Sequence, residues 1–504
     1  MTQWACDPPD SGEPKTPGET GGVETGLPTD SPEGDSSDTE ADKQHDTVLP
    51  NDTEDTAPPA PAGGVFECGT WETSPALLGE YRMSEADAML DYESVWGFTA
   101  GLGIDNDMDG CTDVMLISNL NTHQGYYKYN WLIPGTVWGE LLVEDEATAL
   151  VHDADDHYME WVSSGDIDGD GLHDEWLFGA WNADAADGFA GAAYVFDAPL
   201  EGDVTEADAS ATIWPPDDSE HFAQAVGAGD ANGDGLDDIA VGWALGGELP
   251  HRVLLFESPL AAEVSSSDAV ATIEDHEGDY FGSYLEFESD LNADGFDDLV
   301  PSSHYAGISA GAVHVFYGPV QGLLEPADAD RTLEGEHSNL QTGRGFDGGE
   351  DANHDGYDDL LIAAPVGSNP KVYLVHGPVS ATETLADAAA VFSGASRLGY
   401  DGCLSMSQDM DADGYVDIAL CSENHGGYSS DPRGAAFLFY GPVSGAIDVA
   451  DADAVFFEDD HDWDHANVAG FVVGLEDADG DGFGDLLIGP GGAGPAFLFR
   501  GGPR

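Results

Sequence analysis

The chain has 504 residues, with 12 Lys and Arg against 100 Asp and Glu and a formal net charge of −88. An acidic excess of this size excludes nucleic acid as a partner, because binding it needs a basic footprint. It also disfavours an anionic bilayer surface, and no stretch reaches the roughly 18 apolar residues of a membrane span.

Residues 1–64 are Pro, Gly, Ser, Thr, Asp and Glu with few large apolar groups. Such a composition does not offset the entropy of ordering, so the segment is expected to be a disordered acidic tether. No apolar stretch follows Met1, so no signal peptide is visible. Trp4-Ala5-Cys6, followed by the acidic linker, resembles the end of a bacterial lipoprotein signal and makes Cys6 a candidate lipid anchor. The alternative is an ordinary cytosolic N-terminus.

From about residue 65 one motif returns seven times. In Asp230-Ala-Asn-Gly-Asp-Gly-Leu-Asp-Asp238, oxygen-bearing side chains stand at loop positions 1, 3, 5 and 9: Asp230, Asn232, Asp234 and Asp238, with Leu236 at position 7. A hard cation such as calcium takes six to eight oxygens at about 2.3–2.6 Å, and alternate residues of a tight loop supply several. Positions 1, 3, 5, 7 and 9 of the first loop are Asp105, Asp107, Asp109, Cys111 and Asp113, and of the second Asp166, Asp168, Asp170, Leu172 and Asp174. The fourth has Asp290, Asn292, Asp294, Phe296 and Asp298, and the fifth Asp351, Asn353, Asp355, Tyr357 and Asp359. The sixth has Asp409, Asp411, Asp413, Tyr415 and Asp417, and the seventh Asp477, Asp479, Asp481, Phe483 and Asp485. Six steps carry the first residue from 105 to 477, a mean period of 62. Acidic runs are usually solvated surface; seven in-phase copies with Gly at position 6 are not. An EF-hand would need a bidentate Glu at position 12. That position holds Leu116, Leu177, Val241, Pro301, Ile362, Leu420 and Ile488, so the EF-hand is rejected.

Each unit reads as four short strands. One enters the loop and one leaves it, as at residues 360–365 and 486–490. A third recurs at residues 191–196, 252–256, 311–319, 371–378 and 434–442, and a fourth follows an Asp-Ala step at 211–214, 271–274, 331–334 and 454–458. Gly-Pro and Gly-Gly punctuate the runs. The fold class expected is all-β: a seven-bladed β-propeller of four-stranded antiparallel blades over residues 65–504, with a calcium loop in every blade.

The last third strand, residues 496–500, has no fourth strand after it, whereas residues 85–93 show that beat with no third strand before it. Residues 88–92 are therefore expected to pair antiparallel with 496–500 and close the ring.

The chain resembles the FG-GAP repeat family, the propeller of integrin α-subunits and of many bacterial surface proteins. The calcium loops carry the resemblance, with Phe281-Gly282, its variants Gly97-Phe98, Phe222-Ala223 and Leu398-Gly399, and Ala363-Ala364-Pro365. It implies up to seven calcium ions on the lower face, in loops between first and second strands, and ligand binding by the opposite face.

Cys403 and Cys421 flank the sixth loop and are expected to bridge; Cys68 and Cys111 are placed to pair, which leaves Cys6 alone. Buried free thiols are the alternative. Acidic loops carrying His152 and His157, or His461 and His465, suggest a second metal site, against the plainer reading of solvated hairpin tips. No nucleophile elbow, zinc-protease helix, phosphate loop or Rossmann fingerprint is present, so no catalytic residue is assigned. The reading is a calcium-binding, secreted or surface-tethered binding, adhesion or structural module with an unknown protein or glycan ligand. The alternative is an extracellular, polysaccharide-acting enzyme with its site in the upper mouth.

Overall fold

The computed structural model describes residues 64–504 other than 66–67, 70–73, 92–97, 123–124, 154–158, 186–187, 190, 216–221, 245–249, 381–383, 425–433, 458–469 and 491–493. These lie in one compact all-β unit. Within a repeat the first three strands form an antiparallel meander. In the third repeat, Ala225–Gly229 pairs with Asp238–Trp243, which pairs with His251–Phe256, which pairs with Ala271–Asp275. The three inner strands are buried almost throughout, because adjacent sheets cover both their faces. The outer strands alternate: Ala390–Ser393 and Ala454–Phe457 bury every second residue, as expected of a sheet edge with one wet face.

Seven four-stranded blades were expected, and this is corrected. There are six blades, each a sheet of five or six strands. The repeat around the fourth loop does not form a continuous sheet. It is split into two ladders, Leu285–Ser289 with Asp298–Pro301 and Ala312–Val315 with Arg331–Glu334. Only the isolated bridges Leu299–Phe316 and Ser302–Val313 join them. One cause is local: Pro301 ends the second strand without an N–H to donate to the third.

Several sheets gain an extra strand in one way. A short, mostly exposed segment that precedes a 3-10 turn lies parallel to the outer strand of the preceding sheet: Gly202–Thr205 on Ala149–His152, Glu263–Ser265 on Ala211–Trp214, Gly445–Asp448 on Ala390–Ser393. The Asp of the Asp-Ala step then turns the chain. Asp208, Asp268 and Asp387 accept the N–H of Thr205, Ser265 and Thr384 at 2.9, 2.9 and 3.1 Å, a capping box that leads into the repeat's own fourth strand.

Ring closure is as expected. Ala88–Asp91 pairs antiparallel with Ala496–Phe499, in the register Ala88–Leu498, Met89–Phe497 and Leu90–Ala496. Cys68–Cys111 and Cys403–Cys421 are disulfides, with Cα atoms 5.8 and 5.2 Å apart.

The inner strands line a cavity of about 100 Å3 that includes Glu288, Glu350, Gln408 and Glu476. Nearby Glu286 is 3% exposed and accepts the N–H groups of Phe287 and Glu288 at 3.1 and 3.2 Å. Burial, reinforced by Asp347 and Glu288, pushes its carboxyl from 4.5 up to about 8. The folded state therefore keeps a proton that the unfolded chain releases, and stability falls as pH rises through that window. Glu286→Gln is expected to flatten this slope. The check is the denaturant midpoint of both proteins at about pH 5 and about pH 9 in one chelator-containing buffer. An unchanged slope would assign the pH dependence to other groups.

Candidate metal loops

Each loop joins the first and second strands of its repeat, so all seven emerge at the same ends of their strands. Their internal geometry is nearly constant. The position-1 carboxylate accepts the N–H of the position-6 glycine in all seven. Gly110 donates to Asp105 at 2.9 Å, Gly171 to Asp166 at 2.9 Å and Gly235 to Asp230 at 2.8 Å. The same bond joins Gly295 to Asp290, Gly356 to Asp351, Gly414 to Asp409 and Gly482 to Asp477. That glycine has φ between +85° and +93° throughout, which a residue with a Cβ adopts only under strain. The position-5 carboxylate accepts the N–H of position 7, as from Cys111 to Asp109, Leu236 to Asp234 and Phe483 to Asp481. The loop backbone thus arranges the acids without help from the rest of the protein.

Position 9 ties five of the loops to their sheets. Asp238, Asp298, Asp359, Asp417 and Asp485 accept the N–H of Ser258, Gly318, Gly377, Gly441 and Gly501 at 2.8–2.9 Å, just past the third strand. This explains the recurring Gly-Pro step. A Cβ on Gly377 would lie 2.5 Å from the Asp358 carbonyl oxygen, so the close approach needs glycine. Consecutive loops are also laced together. The position-1 carbonyls of Asp166, Asp230, Asp409 and Asp477 accept N–H groups of Asp237, Asp297, Gly484 and Thr112 in the following loop, at 2.8–3.1 Å. The bond from Thr112 to Asp477 joins the first loop to the last.

Three acidic oxygens converge within 4.8 Å in four loops: Asp105, Asp107 and Asp109; Asp166, Asp168 and Glu175; Asp409, Asp411 and Asp417; Asp477, Asp479 and Asp485. In the third and fourth loops the position-3 residue is Asn, and the Nδ2 of Asn232 and of Asn292 donates to Asp238 and Asp298. The second loop holds a residue that sequence reading missed. Its following strand starts at Glu175 rather than Asp174, and Glu175 accepts the N–H of Ile167 and of Asp168 at 2.8 and 3.2 Å. The signal was present. The apolar strand run begins one residue later here, at Trp176, than at Ile239 in the third loop.

The electrostatics of these cradles call for a cation. Burial, with loop aspartates alongside, pushes Asp113, Asp238, Asp359 and Asp417 up to about 7 and Asp298 to about 8. Asp481 Oδ2 is buried with no hydrogen-bond partner among the described residues. A divalent ion would supply both the missing partner and the missing charge. Two loops also meet arginine. Arg504 pairs with Asp411 and, at 2.6 Å, with Asp413, and Arg500 Nε lies 2.8 Å from Asp479, both side chains fully buried. Of the other expected groups, His152 Nε2 bonds Asp203 Oδ1 at 2.7 Å. His157, His461 and His465 lie outside the described residues.

No family model matches the chain. Integrin alpha pat-2 of Caenorhabditis briggsae is 27% identical over 227 residues, covering 40% of this chain and 18% of that protein. Mouse integrin alpha-IIb is 31% identical over 180 residues, 33% of this chain and 17% of its own length. Both of these proteins are integrin α-subunits. Integrin alpha-PS5 of Drosophila melanogaster is another, 33% identical over 162 residues, 29% of this chain and 15% of its own length. The aligned stretches thus span less than a fifth of these integrins' lengths. Among solved structures, the Dos1 propeller matches 84% of this chain at 10% identity with a TM-score of 0.41. No described helix is long and apolar enough to cross a membrane.

Proposed function

We propose that this chain is an extracellular calcium-binding propeller of adhesion type, whose loops hold divalent ions on one face while the opposite face takes a ligand. The observation that carries this is the repetition of one acid cradle, its position-1, position-5 and position-6 bonds identical in all seven loops. Calcium suits it because the donors are all hard oxygens in a flexible set. The four loops with converging acids are the strongest sites. In the sixth and seventh loops the position-1, position-3 and position-9 carboxylates would hold the ion, in the second Asp166, Asp168 and Glu175, and in the first the position-1, position-3 and position-5 carboxylates Asp105, Asp107 and Asp109. Residues 1–64 would serve as a tether, with Cys6 a candidate lipid anchor. The test is an array of extracellular proteins and glycans probed with calcium and with chelator. Calcium-dependent capture of a defined ligand supports the reading, and hydrolysis of a glycan without stable binding would replace it with the enzymatic one.

The sixth loop carries a separate expectation. Arg504 occupies carboxylates that calcium would need, so Arg504→Ala is expected to raise the affinity of this loop about two- to thirtyfold. That range follows from two ion pairs made by a partly exposed arginine, of about 0.2–1 kcal/mol each. Calorimetric titration checks it, and an unchanged or weaker site would show that the guanidinium does not compete.

A further inference from the structure

A cavity of about 400 Å3 is lined by Gln341, Arg344, Pro365, Val366, Gly367, Ser396, Arg397 and Tyr400. It lies at the strand ends remote from the metal loops. Pro365–Gly367 follow the strand Asp359–Ala364, which begins at its loop, and Tyr400 precedes the strand Leu404–Gln408, which ends at its loop. Two of the chain's 12 cationic residues meet here over one ring. The guanidinium carbons of Arg344 and Arg397 stand 4.3 and 3.7 Å from the Tyr400 ring centroid.

Arg344 is 3% exposed and firmly aimed. Its Nε donates to Asp401 Oδ1 at 2.6 Å and its Nη1 to Gln341 Oε1 at 2.7 Å, while Tyr284 Oη donates to the same Asp401 oxygen at 3.2 Å. Arg397 is exposed. Asp401 offsets one positive charge, and none of the residues lining the cavity is acidic. A chain of net charge −88 therefore presents a locally positive pocket. At physiological ionic strength screening acts over about 8 Å, so the two nearby guanidinium groups outweigh the distant acids for a ligand within the cavity. The backbone is held in uncommon conformations around it: Gln341, Arg397 and Asp401 have φ of +53°, +53° and +50°. Left-handed non-glycine residues cluster where a site requires them.

We propose that this cavity binds a carboxylate as the anchoring group of the ligand. The inference rests on the reading that the face opposite the loops is the ligand face. Planar guanidinium forks match a carboxylate's two oxygens. Gln341 and Ser396 offer further polar contacts, and Pro365 and Val366 an apolar wall for the ligand's stem. The apolar wall of Pro365 and Val366 favours the methylene stem of an acidic side chain of a protein over the hydroxylated ring of a uronic acid.

The test uses the full chain in calcium, with binding followed by ligand-observed NMR. The probes are N-acetylglutamate amide and glucuronate, with N-acetylglutamine amide and glucose as neutral counterparts. N-acetylglutamate amide is expected to bind ten or more times tighter than its neutral counterpart, and tighter binding of glucuronate would overturn the protein source in favour of a glycan. Arg397→Gln, at an exposed position, is expected to lose that binding at least tenfold with no change in melting temperature. Equal binding of neutral and charged probes, no binding of either carboxylate, or an unaffected Arg397→Gln protein overturns the proposal. If a ligand from the array still binds Arg397→Gln fully, the ligand-face reading stands and this cavity is not its anchor.

Discussion

Treatment with a calcium chelator is expected to lower the melting temperature by about 10 °C. Each loop packs three or four acids at short range, and without a cation burial, with repulsion from the neighbouring loop acids, raises the carboxyls of Asp238, Asp298 and Asp417. An ion that binds only the folded state adds about 2.7 kcal/mol per site at a free concentration of 100 Kd. Four such sites add about 11 kcal/mol. Unfolding entropy of about 2.1 cal/mol/K per residue over roughly 440 residues is about 0.9 kcal/mol/K, which turns that energy into about 12 °C. Scanning calorimetry with calcium, magnesium and chelator measures the shift, and elemental analysis counts the ions. Unchanged melting together with no bound calcium would remove the metal from the account of this fold.

How much could be read beforehand depended on whether a feature was local. The loops were legible because Asp230, Asp234 and Gly235 act through bonds within nine residues, so spacing alone specifies them. Ring closure was legible because residues 85–93 repeat a beat that is missing after residue 500. The fifth strand was not. Gly202–Thr205 and Glu263–Ser265 are short and mostly exposed, with no alternation to mark them, and their pairing is with another repeat. The irregular fourth repeat had a local signal in Pro301, where its siblings carry Leu, Val or Ile, but its loop Asp290–Asp298 matches theirs and by itself gives no sign of the break. Glu175 was missed because a fixed position 9 was applied to a loop one residue longer. The Arg344–Tyr400–Arg397 cluster joins residues over 50 positions apart and has no motif at all.

Deleting residues 1–94 is expected to destabilise or aggregate the protein, whereas deleting residues 1–63 should leave its melting nearly unchanged. The first deletion removes Ala88–Asp91, which lies between Ala496–Phe499 and Val137–Leu142 and so links the last repeat to the first. It removes Asp87, which accepts the Arg500 N–H at 2.8 Å, and Gly79–Arg82, which lies parallel to Ala454–Phe457. It also removes the Cys68–Cys111 bridge and the buried side chains of Leu77, Met83 and Leu90. Burying each of those three contributes about 1.5–3 kcal/mol, and losing the disulfide costs about 2–5 kcal/mol more. Two sheet edges would then be open to pairing with other molecules. The shorter deletion leaves every one of these contacts in place. Thermal melts and size-exclusion profiles of the two truncated proteins decide the matter. If both melt and elute like the intact chain, closure by residues 64–94 does not hold the ring together.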